Sequence, residues 1–314
     1  YLLQGLPVSL IEKAVNKMGQ TAAAPSAPVA ESGAGPVVAR EAVAPVAVHA
    51  AAAPVAPRAR GDGGSKQIQI DLERLASLGY VTPDTEKTML AEEFRVIKRP
   101  LITNVTAADA QDRHRNLIMV TSSLPAEGKS FCALNLALSI AMERDTTVML
   151  VDADVAKPSV LNNLGLRAER GLMDMLLDPN VQVGDVLLKT NIDKFSILPA
   201  GRRHKHSTEL LASESMVQLL DEIATRYPDR IVIFDSPPLL VTSEARELAA
   251  HMGQIVMVVE AGRTSQEAVA ESLRYIEGCD IVNLLMNKSD SLHGEGYGGY
   301  GYGYGYGHNQ RTSS

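Results

Sequence analysis

The segment Val120-Thr-Ser-Ser-Leu-Pro-Ala-Glu-Gly-Lys-Ser130 ends in the three residue types that a phosphate-binding loop needs. Glycine at position 128 lets the backbone pass close to an anion. Lys129 is long enough to reach β- and γ-phosphates. Ser130 offers a hydroxyl to Mg²⁺, and a helix starting here points its free N–H groups at the phosphates. The loop departs from G-x-x-x-x-G-K-[ST] at its first position, where Ser123 stands. Nucleotide contacts are expected along it from Ser123, Pro125, Glu127, Gly128, Lys129, Ser130 and Phe131.

Two further stretches supply acids. Val148-Met-Leu-Val-Asp-Ala-Asp-Val-Ala-Lys-Pro158 places Asp152 and Asp154 at the end of an apolar run, and Ile231-Val-Ile-Phe-Asp-Ser-Pro-Pro238 places Asp235 after another. An acid closing an apolar strand is the Walker B pattern of a Mg²⁺ partner. Each acid alone also fits a helix cap or a solvated loop. All three beside Lys129 read as an ATP–Mg²⁺ site with an extra acid available for chemistry. Asn287, after the last apolar run, is either an adenine partner or an ordinary loop residue. The basic run Gly201-Arg-Arg-His-Lys-His206 is either a solvated loop or a landing place for phosphate or an acidic tail.

The elements that must position these groups alternate. Apolar runs at residues 116–120, 147–151, 195–198, 231–234, 255–259 and 281–285 read as strands, with helices at about 129–143, 208–226, 243–250 and 265–278. Near-continuous apolar strands separated by helices imply an α/β fold with a mostly parallel sheet and helices on both faces. Ligands then gather at the carboxyl ends of the strands, where the acids fall. An earlier helix spans about 84–98, with Met89, Leu90, Phe94 and Ile97 apolar. Order is expected over 66–289. Residues 21–65, rich in Ala and Pro, read as a disordered linker. In front of it, residues 1–20 hold a short amphipathic helix opened by the capping box Ser9-Leu10-Ile11-Glu12, either a frayed end or a docking segment.

The net charge of −7 over 314 residues disfavours nucleic acid as a partner. Without an apolar run of about 18 residues, no transmembrane helix is expected. Cys132 and Cys279 lack metal or disulfide spacing, which suits a reducing cytosol.

The P-loop, the Asp-Ala-Asp strand and the Phe-Asp-Ser-Pro-Pro strand together resemble the bacterial tyrosine kinases, P-loop autokinases related to the MinD and ParA ATPases. Ala-Glu-Glu-Phe-Arg-Val-Ile-Lys-Arg-Pro-Leu and Asp-Ala-Asp-Val-Ala-Lys-Pro look most like members tied to exopolysaccharide and exosortase loci. The resemblance implies that Lys129 and Ser130 are the Walker A pair, and that Asp152 polarises a tyrosine hydroxyl while Asp154 and Asp235 serve Mg²⁺. It implies that Glu92, Arg95 and Lys98 form the helix that packs on a neighbouring subunit. Lys98 stands where the family has arginine, so a bidentate contact is lost there. Ala156 also stands where many members have arginine. The implied partners are a second copy of the chain, a membrane activator of the chain-length-determinant type and a tyrosine phosphatase. The implied location is the cytoplasm, at the inner face of the membrane. The competing reading is a MinD/ParA-like ATPase switch that phosphorylates no protein. That class carries an extra lysine early in its P-loop, and residues 122–126 have none.

Residues 290–314 supply the expected acceptors. Tyr297, Tyr300, Tyr302, Tyr304 and Tyr306 sit among glycines, and the resemblance makes them an autophosphorylation cluster. A Gly-rich chain from Asp290 to Tyr306 spans roughly 20–25 Å on average, enough to enter its own site or a neighbour's. Five phosphates would add about −7.5 to −10 charges.

Overall fold

The computed structural model describes residues 2–3, 66–85, 87–107, 114–226 and 230–289. The expected helix within 1–20, the linker and the tyrosine tail lie outside the described residues.

In chain order the elements are β1 (Leu2–Leu3), β2 (Lys66–Ile68), α1 (Leu72–Ser77), α2 (Met89–Thr106), β3 (Leu117–Ser122), α3 (Lys129–Ala141) and β4 (Thr147–Asp152). Then come α4 (Val160–Asn163), α5 (Leu172–Leu177), α6 (Val183–Val186), β5 (Leu188–Thr190), β6 (Phe195–Leu198), α7 (Ser207–Leu211) and α8 (Glu214–Arg226). The chain closes with β7 (Arg230–Asp235), α9 (Ser243–Ala249), β8 (Gln254–Glu260), α10 (Gln266–Arg274) and β9 (Val282–Asn287). The described strands form one sheet in the order β1-β9-β8-β3-β7-β4-β6-β5-β2. Neighbours run parallel except β1 with β9 and β5 with β6. This is the mostly parallel α/β architecture of a P-loop NTPase that the sequence led one to expect.

The alternation of strand side chains explains why both faces are covered. Leu117, Met119, Met149, Val151, Val232, Phe234, Ile255 and Met257 join one core, shared with α8, α9 and α10. Their neighbours Ile118, Val120, Val148, Leu150, Ile231, Ile233, Val256 and Val258 join the other, shared with α2 and α3. Helix α3 is buried along most of its length, from Cys132 to Ala141. A helix apolar on nearly every side has to sit inside the fold, and that fixes where the P-loop ends.

Several elements differ from expectation. Helix α2 runs on to Thr106 through Pro100 instead of ending at Lys98. Proline removes the bond to the carbonyl four residues back, at Val96, a residue on the exposed side of the helix (69%). Burial of Phe94 and Leu101 on either side holds the turn. The helix expected over 208–226 breaks into α7 and α8, because the Ser213 hydroxyl accepts from Met216 N (3.4 Å) and starts a second helix. The short strands β2 and β5 were not legible, since each has three residues and at least one exposed position.

Candidate active site

Pairing of the central strands brings the predicted groups together. Strand β3, which leads into the P-loop, lies between β7 and β8, and β4 lies on the far side of β7. Asp152 and Asp235 are direct register partners, and Asp235 also stands opposite Val120. Adjacent strands are about 4.8 Å apart, so two carboxylates meet at one sheet edge beside the loop. Lys129, first residue of α3, points into the same place, with Nζ 3.1 Å from Asp154 Oδ2.

Burial sets the electrostatics of the acids. The Asp152 carboxyl is pushed up to about 7, first by desolvation and then by the charge of Asp235, against the pull of the Val160 and Ser159 N–H groups. Both N–H groups donate to Oδ2 at 3.0 Å. Asp235, with no exposed surface, is pushed up to about 6 by desolvation, with Lys129, Ser130 and Ser159 opposing. The other oxygens, Asp152 Oδ1 and Asp235 Oδ1, are buried without a hydrogen-bond partner. Uncompensated carboxylate oxygens in a low dielectric are costly, and a cation or a donor hydroxyl would relieve them. Among the described residues no group of three or more His, Cys, Asp or Glu could hold a metal on its own.

The anion side is the start of α3. Gly128, its N-cap, has φ +95° and makes no side-chain cap, so the first N–H groups are unclaimed by a side chain. A Cβ there would lie 2.0 Å from Asn287 Nδ2, which donates to the Glu127 carbonyl at 2.9 Å. Glu127 itself is buried: its carboxylate accepts from Leu124 N (2.7 Å) and from the Thr264 hydroxyl. Lys288 Nζ adds a bond to the Ala126 carbonyl (2.6 Å). The loop is therefore stapled to the ends of β8 and β9. Thr264, Ser159 and Lys288 escaped the sequence reading, because each acts on a residue distant in the chain and lies in no motif of its own.

The other predicted residues are scattered. Ser123 is buried, with a long bond to the Ala268 carbonyl (3.4 Å). Phe131 packs against Tyr80 in a tilted arrangement, with ring centroids 5.1 Å apart, and Pro125 is exposed. Glu92 and Arg95 pair with each other on the exposed side of α2. Lys98 is turned inward at 3% exposure, bonded to the Ser139 carbonyl (2.5 Å) and paired with Glu143 (2.9 Å). Held there, it has no free ammonium to offer a neighbouring subunit; Arg99, exposed beside it, lies 3.6 Å from the same Glu143.

No protein-family profile matches the chain. Individual relatives do. Tyrosine-protein kinase YwqD of Bacillus subtilis is 33% identical over 217 residues, which cover 68% of this chain and 88% of YwqD. The succinoglycan biosynthesis transport protein ExoP of Rhizobium meliloti is 30% identical over 219 residues, 68% of this chain but only 27% of ExoP. Among solved structures, the kinase domain of the Escherichia coli tyrosine kinase ETK superposes with a TM-score of 0.55 at 25% identity, covering 68% of this chain and 80% of that one. With a nucleotide-type P-loop, three acids at adjoining strand ends and these relatives, the chain belongs to the bacterial tyrosine-protein kinases.

Proposed function

We propose that this kinase transfers the γ-phosphoryl group of ATP to its own C-terminal tyrosines, Tyr297 to Tyr306, and does so between copies of the chain. The observation that carries this is the convergence of Lys129, Asp152, Asp154 and Asp235 at one sheet edge, with two buried carboxylate oxygens lacking partners. Bound Mg²⁺–ATP would supply the transferable group and the divalent charge. Lys129 and the free N–H groups of α3 hold the phosphates, with Ser123, Pro125, Glu127, Gly128 and Phe131 shaping the loop and Asn287 bracing it. Ser130, Asp154 and Asp235 would hold the metal, and Asp154 is paired with Lys129 at 3.1 Å. Asp152 Oδ1 accepts the hydrogen bond of the acceptor phenol and takes its proton; a carboxylate poised near neutrality is matched to that task. Glu92 and Arg95, exposed on α2, contribute to a surface between copies.

The biological setting we infer is exopolysaccharide biosynthesis, supported by the likeness to ExoP, with a membrane activator of the chain-length-determinant type recruiting the kinase and a phosphatase resetting the tail. Among the described residues no helix is long and apolar enough to cross a membrane.

Two mixtures test the catalytic reading. Wild-type chain given γ-labelled ATP should carry label on the tail tyrosines; hydrolysis with unlabelled protein would favour the ATPase switch instead. Lys129→Ala chain mixed with an active chain whose five tail tyrosines are Phe should become labelled if transfer runs between copies, and stay unlabelled if it does not.

A further inference from the structure

A cleft of about 390 Å³ has Asp152 and Arg167 in its lining. The rest of the lining is mixed: Asn162 adds a polar side chain, Pro158, Leu161, Leu166 and Pro199 add apolar ones, and Gly201 brings the start of the basic loop to its margin. No residue of the P-loop lines it, so it is a separate compartment that shares Asp152 with the nucleotide side.

The charge around this cleft runs against the charge of the molecule. The chain carries −7 overall, yet Arg167 in the lining and Arg203 and Lys205, two and four residues beyond the lining residue Gly201, are exposed and have no ion-pair partner among the described residues. Arg202 lies only loosely on Asp174, at 3.9 Å. An uncompensated guanidinium beside Pro158, Leu161 and Leu166 suits a ligand that is both ring and anion: the apolar side chains take the ring, and the guanidinium fork takes phosphate.

The chain carries such a ligand once it has acted. Tyr300, Tyr302, Tyr304 and Tyr306 recur at every second position. In an extended chain alternate side chains share one face, about 7 Å apart. A phosphotyrosine two residues from the acceptor therefore lies on the acceptor's side of the chain, and glycine between them keeps the backbone slim.

We propose that this cleft, through Arg167 and the cations of the loop 201–206, binds a phosphotyrosine of the tail while the next tyrosine stands at Asp152, so that a tail already phosphorylated is preferred for further transfer. The inference rests on the tail being the acceptor. It also opposes the default: the net charge of the protein disfavours a more anionic tail, so a preference for one requires a local cationic site.

The probe is a fluorescent synthetic peptide of residues 294–308, unmodified or phosphorylated at Tyr304, titrated by anisotropy against unphosphorylated full-length chain. ADP and Mg²⁺ are kept saturating, which closes the P-loop to the peptide's phosphate. The phosphopeptide should bind about tenfold more tightly, the size of one charge-assisted contact. The Arg167→Gln/Arg203→Gln/Lys205→Gln chain should bind both peptides alike. Equal affinities in wild type, or a preference that survives in the triple variant, would overturn the proposal. Intact-mass spectra of the full chain turning over ATP give a second reading. Wild type should pass quickly from unmodified to multiply phosphorylated, whereas the triple variant should accumulate the singly phosphorylated form. Identical ladders count against the cleft. A wild type that gains no tail phosphate sinks the autokinase reading instead, and the peptide titration still decides the cleft.

Discussion

Gly128→Ala is a perturbation whose cost can be worked from the backbone and one neighbour. At φ +95° an L-residue is strained, by roughly 1–2 kcal/mol. The new Cβ would meet Asn287 Nδ2 at 2.0 Å, so the amide must leave and its 2.9 Å bond to the Glu127 carbonyl is lost, a further 0.5–1.5 kcal/mol or about that. Together the loss is about 2–3 kcal/mol, or roughly 5–10 °C in melting temperature for a domain of this size. Nucleotide affinity falls with it, because the displaced loop carries the N–H groups. Urea unfolding with a double-mutant cycle separates the parts. In an Asn287→Ala background the steric share is gone, and Gly128→Ala should cost only the conformational 1–2 kcal/mol or so. Equal costs in the two backgrounds would refute the reasoning that Asn287 braces the loop through this contact.

Other outcomes follow from the same geometry. Asp152→Asn keeps an oxygen for the Ser159 and Val160 N–H groups but removes the proton acceptor, so phosphoryl transfer should fall by about 10²–10⁴ while fluorescent-ATP affinity is retained. Lys98→Met leaves the Ser139 carbonyl without its donor and Glu143 with only the more distant Arg99, at 3.6 Å, and should cost about 1–3 kcal/mol in urea unfolding at pH 7. Glu143 is held below its ordinary 4.5, chiefly by the Lys98 hydrogen bond. A depressed folded-state value stabilises above 4.5 and loses that stabilisation as pH falls through it. The gap between wild type and Lys98→Met should therefore narrow on acidification, and a constant gap would show that Glu143 is not the partner that matters. Full phosphorylation, adding about −7.5 to −10 charges, should lower the oligomeric state seen by sedimentation; an unchanged state relative to Lys129→Ala would count against charge-driven release.

The central strands and the P-loop were legible because their signals are local. Six apolar runs with acids or the Gly-Lys-Ser turn at their ends leave few ways to build a covered parallel sheet, and β3, β4 and β7 then have to bring Lys129, Asp152 and Asp235 to one edge. What was not legible is decided by tertiary contacts. A lysine on a helix reads as exposed, yet Lys98 is drawn inward by a carbonyl 41 residues away. Thr264 meets Glu127 across 137 residues, a pairing no short motif records. Pro100 reads as a helix end, but the packing of Leu101 overrides it. The basic loop 201–206 showed its charge in the sequence, but that it begins at the margin of a cleft containing Asp152 and Arg167 needed the fold.

The central claim is that the site on β3, β4 and β7 phosphorylates the tyrosine tail. Phosphosite mapping of wild-type chain against Lys129→Ala, each incubated with Mg²⁺–ATP, tests it most directly. The account predicts phosphate on tyrosines among Tyr297, Tyr300, Tyr302, Tyr304 and Tyr306 in wild type and none in Lys129→Ala. Phosphate absent from these tyrosines in wild type, or present equally in both proteins, would contradict it.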